Sequence, residues 1–234
     1  MSKSKGNVVD PLELMDEYGA DALRFTMAAL ATQGRDVKPS RARIEGYRNF
    51  GTKLWNAARF AEMNGCRRDP DFEPAAARGT LNRWIAHAAA EAVGEVTEAL
   101  EQFRFNDAAG AAYRFVWNIY CDWYVELAKP VLLGPEGAAK TETRATTAYV
   151  QDLVFKLLHP FMPFITEELW RVTASPGRPR QSLLALSPWP SDLQFSDAAA
   201  EAEIGWVIDL VTAVRSVRSE MSIAPATTTP LLLV

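Results

Sequence analysis

Only two cysteines and two histidines occur in 234 residues, which leaves little material for thiol or metal chemistry. Cys66 and Cys121 make neither a disulfide framework nor a CxxC metal knuckle. His87 and His159 are far apart, and both are read as structural, so no metal site is expected. No apolar run approaches the ~18 to 20 residues that a membrane helix needs. The first residues, MSKSKGNVVD, have no apolar stretch behind their lysines, which excludes a secretory signal of the usual kind. Internal repeats and low-complexity tracts are missing as well. A cytoplasmic location, where thiols stay reduced, is the expectation.

What remains is the composition of a soluble globular chain: 48% hydrophobic, 23% charged and 10% aromatic residues. That supports one large core or two modest ones. The net charge of −4 argues at first against a polyanionic partner. Its distribution reverses the impression. Between Ala22 and Arg68 stand ten Lys/Arg (Arg24, Arg35, Lys38, Arg41, Arg43, Arg48, Lys53, Arg59, Arg67, Arg68) against three acids, so this stretch carries +7 and the rest −11. A local basic stripe on an acidic chain can attract phosphate. A solvated helix face would have the same composition, and charge alone does not separate the two readings.

Helix punctuation dominates the chain. Asp10-Pro11 is a cap followed by proline at the first helical position, and Gly19 ends that short helix. A second helix spans about 20–31. Ser40 caps a long one that runs to about 64, with Gly65 as its stop. Others are predicted from Thr80 to about Phe103, from a cap at Asn106 to about Leu133, and from about Lys140 onward, split by Pro160 and Pro163 before Trp170. Residues 175–196, rich in Pro, Ser and Gly, form a long connection. A last helix covers about 197–221, and TTTPLLLV has the character of a strand beginning.

The helix from Arg41 to Asn64 is the most informative. Residues sit about 100° apart around its axis. On that wheel Ile44, Tyr47, Gly51, Leu54, Trp55 and Ala58 fall on one apolar stripe, expected to face the core. Asn49, Asn56 and Phe60 cluster opposite. Arg41, Arg48 and Arg59 line one edge of that polar face, and Lys53 lies beyond Phe60 on the other. A ring among amides and cations is suited to unpaired RNA: the ring stacks a base, amides bond base edges, cations meet phosphate. Phe60 could equally pack against an element the wheel does not show. The opening loop, with Ser2, Lys3, Ser4, Lys5 and Gly6, can follow a departing phosphate, though a plain basic tail would read the same.

The motifs in combination decide between these readings. Met1-Ser2-Lys3-Ser4 matches the last four letters of KMSKS, the ATP-loop motif of class I aminoacyl-tRNA synthetases. Gly6-Asn7, Asp10-Pro11 and YGADALR (Tyr18 to Arg24) continue the pattern. GRDVK (Gly34 to Lys38), EGYRNFGTKLWNAARF (Glu45 to Phe60), CDWYVELAKP (Cys121 to Pro130), HPFMPFITEELW (His159 to Trp170) and VRSVRSEM (Val214 to Met221) resemble the valyl members of that class. The resemblance spans essentially the whole chain.

This resemblance implies a mainly α fold: an antiparallel helical bundle, the anticodon-binding domain, behind a KMSKS loop and a small stem-contact helical subdomain. A truncated α/β element is expected at the C-terminus. Residues 1–39 would be the loop and subdomain, 40–175 the bundle, and 176–234 the connection, terminal helix and truncated strand. Ser2, Lys3 and Ser4 would hold ATP phosphates, with Lys3 on the pyrophosphate leaving group. Arg41, Arg48, Asn49, Lys53, Asn56, Arg59 and Phe60 would meet tRNA, with Trp123 and Tyr124 as either further contacts or core. The parent would charge valine isoacceptors of tRNA through valyl-adenylate, using ATP and Mg²⁺. The first lysine of KMSKS, the Rossmann catalytic domain, the editing domain and the C-terminal coiled-coil arm are not among these residues. The expectation is therefore a fragment, monomeric and inactive alone. A stand-alone helical scaffold descended from a synthetase is the competing reading.

Overall fold

The computed structural model describes residues 10–32, 39–175, 179–191, 193, 195–224 and 226–231. Helix α1 (Pro11–Tyr18) starts as its sequence predicts, with the Asp10 carboxylate accepting from the Leu12 N–H at 2.9 Å. Gly19, at φ 88°, closes α1 and opens α2 (Ala20–Leu30) in one residue, a conformation that glycine tolerates without strain. Ser40 accepts from the Arg43 N–H at 3.3 Å and begins α3 (Arg41–Met63). Beyond it, Gly65 at φ 75° turns the chain away. Then follow α4 (Thr80–Glu101), α5 (Phe105–Tyr113), α6 (Val125–Leu132), α7 (Ala138–Leu158), α8 (Pro163–Val172) and α9 (Ala198–Glu220). Among the described residues there is no strand. Residues 227–231, where a strand was expected to begin, are irregular, and 232–234 lie outside the described residues. A strand needs a partner for its backbone groups, and no other strand among the described residues supplies one.

The helix predicted from Asn106 to Leu133 starts earlier and is not uniform. It opens at Phe105 after Arg104, and Asn106 bonds the neighbouring Asp107 instead of capping. Between α5 and α6 the eleven residues Arg114–Tyr124 are π-helical. Their buried positions explain the wider turn. Phe115, Tyr120 and Val125 form one inward row and Val116 and Cys121 another, a five-residue spacing that matches i→i+5 bonding and not the 3.6-residue period.

The bundle core is built from α3, α4, α5, the π segment, α7 and α8. Alanines at 88, 89, 92, 108, 109 and 112 let these helices approach closely, and Phe155, Leu157, Leu158, Tyr120 and Tyr124 fill the space between them. Phe25 of α2 is completely buried in the same core, with its ring 4.6 Å from Tyr47, 5.5 Å from Phe50 and 5.8 Å from Phe161. Leu14, Ala22 and Ile44 make a small second cluster under α1.

Two helices lacking a local side-chain cap are capped from far away. The Phe164 and Ile165 N–H groups at the start of α8 donate to the Asp21 carboxylate at 3.1 and 2.7 Å. At the start of α4, Glu142 of α7 accepts from the Arg78 and Gly79 N–H groups at 3.0 and 2.9 Å and from the Asn82 amide at 2.8 Å. The 175–196 connection is strapped down by similar polar links. Arg180 makes a two-pronged pair with Asp152 at 2.8 and 2.6 Å and lies 3.6 Å from the centre of the Trp170 ring. The Trp189 indole donates to Thr97 at 2.8 Å.

Asp21→Ala removes both acceptors at the α8 terminus and should lower stability by roughly 1 to 2 kcal/mol, read from the urea midpoint. Glu142 yields a pH prediction. Burial works to raise its pKa, but hydrogen bonds from Asn82, Gly79 and Arg78 outweigh it and hold the carboxyl below its ordinary 4.5. A depressed carboxyl contributes stability above the unfolded value and loses it as pH falls. The stability gap between the native chain and Glu142→Gln should therefore be full near neutrality and shrink as pH drops through and below about 4.5.

Candidate nucleic-acid interface

The core side of α3 is Ile44, Phe50, Gly51, Leu54, Ala57, Ala58 and Ala61, centred on Leu54. This is rotated from the stripe that the wheel implied, because α5 and the π segment press on the Phe50 side: the Phe50 ring is 4.9 Å from Tyr113 and 5.9 Å from Trp117. Trp55, assigned to the core by the wheel, is consequently displaced to the surface, with 36% of its area exposed. Gly51 stays inward, where a Cβ would lie 3.4 Å from Met162 and 3.5 Å from Ile165, so α8 crosses α3 closely at this point.

The outward face of α3 is now continuous: Arg48, Asn49, Thr52, Trp55, Asn56 and Arg59 are all exposed. Phe60 borders it on the side opposite Trp55, half-buried against the core edge, with the Lys129 ammonium 5.8 Å from its ring centre. A ring therefore flanks each side of the two amides. Asn49 and Asn56 make no hydrogen bond among the described residues, and Arg59 makes no ion pair among them.

The other predicted cations have protein partners. Arg41 pairs with Glu17, and Arg48 with Glu45 at 3.2 Å while lying 5.8 Å from the Tyr18 ring. Lys53 pairs with Asp122 and sits 4.0 Å from the Trp117 ring centre. Exposed pairs of this kind hold by about 0 to 1 kcal/mol, so a phosphate can replace the carboxylate at small cost. Ser2, Lys3 and Ser4 lie outside the described residues, as do Arg35 and Lys38.

Several neighbours were not predicted as site residues. Trp55, Tyr18, Tyr47 and Phe164 line, together with the predicted Arg48, a cleft of about 540 Å³ between α1, α2, α3 and α8. Lys129 stands over Phe60, and Arg215 of α9 lies 5.3 Å from the half-buried Trp123 ring. Lys129 and Arg215 fall in CDWYVELAKP and VRSVRSEM, so the signal was present in the motif stretches themselves. Tyr124 belongs to the core: it is fully buried, and its hydroxyl is hydrogen-bonded to Thr147 at 2.8 Å.

Thiol chemistry has no place at this surface. Burial pushes Cys66 up to about 11 and Cys121 up to about 12. Neither thiol should react with a disulfide reagent at pH 8 in the folded chain, and both should react once it is unfolded, which a thiol-release assay with and without denaturant would check.

Residues 82–233 match the family model described as the anticodon-binding domain of tRNA ligase. Residues 1–40 match a second, tRNA synthetases class I (I, L, M and V). The chain belongs to the anticodon-binding domain family of tRNA ligases. Among curated relatives it is similar to the valine–tRNA ligase of Rhodopseudomonas palustris, at 62% identity over 266 aligned residues. The valine–tRNA ligases of Rhizobium meliloti and Brucella suis are 62% and 60% identical to it. In each case the whole of this chain is covered, but only 27%, 25% and 26% of the relative, so the chain spans about a quarter of these proteins. A solved structure, the ternary complex of Agrobacterium radiobacter K84 agnB2 LeuRS with tRNA and LeuAMS, superimposes with a TM-score of 0.63 at 23% identity. It covers 99% of this chain and 30% of that one, a likeness of fold.

Proposed function

We propose that this chain is the tRNA-gripping part of a valine–tRNA ligase, with the outward face of α3 receiving the anticodon loop of valine tRNA. The observation that carries this reading is the pair of exposed amides, Asn49 and Asn56, on the α3 face bordered by Trp55 and Phe60, which, like the guanidinium of Arg59 alongside, have no bonding partner among the described residues. Two exposed amides can bond base edges. The rings offer stacking surfaces worth ~1 to 3 kcal/mol per base. Arg59 engages phosphate directly, whereas Arg41, Arg48 and Lys53 do so by releasing Glu17, Glu45 and Asp122.

In the same reading the parent enzyme joins valine to tRNA through valyl-adenylate, with ATP and Mg²⁺, in the cytoplasm. Ser2, Lys3 and Ser4 steady the ATP phosphates, and Lys3 contacts the departing pyrophosphate. On this reading the chain by itself is inactive and binds tRNA as a monomer. Among the described residues no helix is long and apolar enough to cross a membrane.

Filter binding of the chain to valine tRNA and to an anticodon-loop variant, at two salt concentrations, tests the proposal. The expected result is salt-sensitive binding that falls with the loop variant. Phe60→Ala should weaken it by ~1 to 3 kcal/mol with the salt slope unchanged. Arg59→Ala should weaken it and flatten the slope by about 1. Equal binding to both tRNAs would remove the anticodon assignment. A Phe60→Ala chain that unfolds more easily but binds as before would make that ring structural only.

A further inference from the structure

The first turn of α9 lies against α4 through two polar contacts one helical turn apart. In the first, Arg83 pairs with Asp197 at 3.1 Å and the charges cancel. The second is unbalanced. His87 Nε2 lies 3.3 Å from Glu201 Oε2 and 3.6 Å from Glu91 Oε1. One ring nitrogen holds at most one proton, so it can bond only one of these carboxylates at a time. The other is left facing a nitrogen and a second carboxylate. The opposite ring nitrogen, Nδ1, is buried with no hydrogen-bond partner among the described residues, and the imidazole as a whole is only 6% exposed. On the Nε2 side, two carboxylates thus compete for a single proton. The expectation that His87 has a purely structural role overlooked Glu91 four residues on, which shares its helix face.

We infer that His87, Glu91 and Glu201 bind a divalent transition-metal ion of the zinc class. One atom from each residue, a nitrogen and two oxygens, lies within 4.8 Å of the others, so a small inward movement closes them on a common centre. A cation there bonds Nε2 and both carboxylates together and cancels the two negative charges. One imidazole with two carboxylates suits zinc, cobalt or nickel and gives magnesium little advantage. The two carboxylates are more than half exposed, which leaves an entry path and room for water as a fourth ligand. The ion would tie α9 to α4 at the end of the helix where Ala200 and Ile204 are its buried residues. This site is separate from the proposed tRNA surface and does not rest on it.

Cobalt(II) titration of the full chain, followed by visible absorption and competed with zinc, tests the inference. The native chain should develop a cobalt band that zinc abolishes. Zinc should raise its Tm by about 5 °C, and magnesium should not. Glu201→Gln, a surface change, should weaken the ion by about tenfold or more, and His87→Ala should lose the band. If His87→Ala does not fold, Glu201→Gln decides alone. No cobalt band, or an equal response from the native chain and Glu201→Gln, overturns the site.

Discussion

The Asp21 carboxylate at the head of α8 holds the front of the molecule to its bundle. α8 starts at Pro163 with no side-chain cap of its own, so its first N–H groups depend on an acceptor 143 residues away in sequence. One turn further along α2, Arg24 reaches the Pro160 carbonyl at 3.1 Å, and Phe25 enters the aromatic cluster between α3 and α5. Burial pushes the Asp21 carboxyl above its usual range, while the two backbone N–H groups pull it back. A charge, a cation and a ring on one short helix thereby set where α1 and α2 stand relative to α3. Because Tyr18, Gly19 and Asp21 form one wall of the cleft and Arg48 and Trp55 another, this clasp also sets the width of that cleft.

The outward face of α3 follows from packing on its other side. Once Phe50, Leu54 and Ala57 turn toward α5 and the π segment, Asn56 and Thr52 point away from the bundle, and Trp55 and Phe60 become its two borders. The ion pairs of Arg41, Arg48 and Lys53 keep the face organised without tying up its charge, since each partner is a solvent-accessible carboxylate. The proposed use of this face therefore draws on two separate observations: the family match, and the α3 groups that the packing leaves unbonded among the described residues.

Local rules made much of this fold legible in advance. Asp10-Pro11, Gly19, Ser40 and Gly65 punctuate the chain where the helices begin and end, because each acts on backbone groups within a few residues of itself. Pro163 opens α8 for the same reason. What could not be read were consequences of distant neighbours. The wheel treats α3 as an isolated cylinder, so it had no means of knowing that Trp117 and Tyr113 would draw Phe50 inward and push Trp55 out. The caps supplied by Asp21 and Glu142 come from other helices and leave no mark near the termini that they satisfy. The Glu201 contact with His87 bridges 114 residues, although its Glu91 half was within one turn.

The π segment was invisible for a different reason: its inward rows recur every fifth residue, a period that neither helix nor strand templates contain. It has an evolutionary consequence. Eleven residues there cover the angular sweep that a smaller number would cover in an ordinary α-helix, so the stretch carries surplus length. Elsewhere in the bundle a deletion rotates every following side chain by about 100° and takes the core out of phase. Within 114–124 a lost residue can be absorbed by tightening the turn, with Ala128 and Leu132 still pointing inward. The same helix that packs against α3 is therefore where the bundle can best tolerate a change of length.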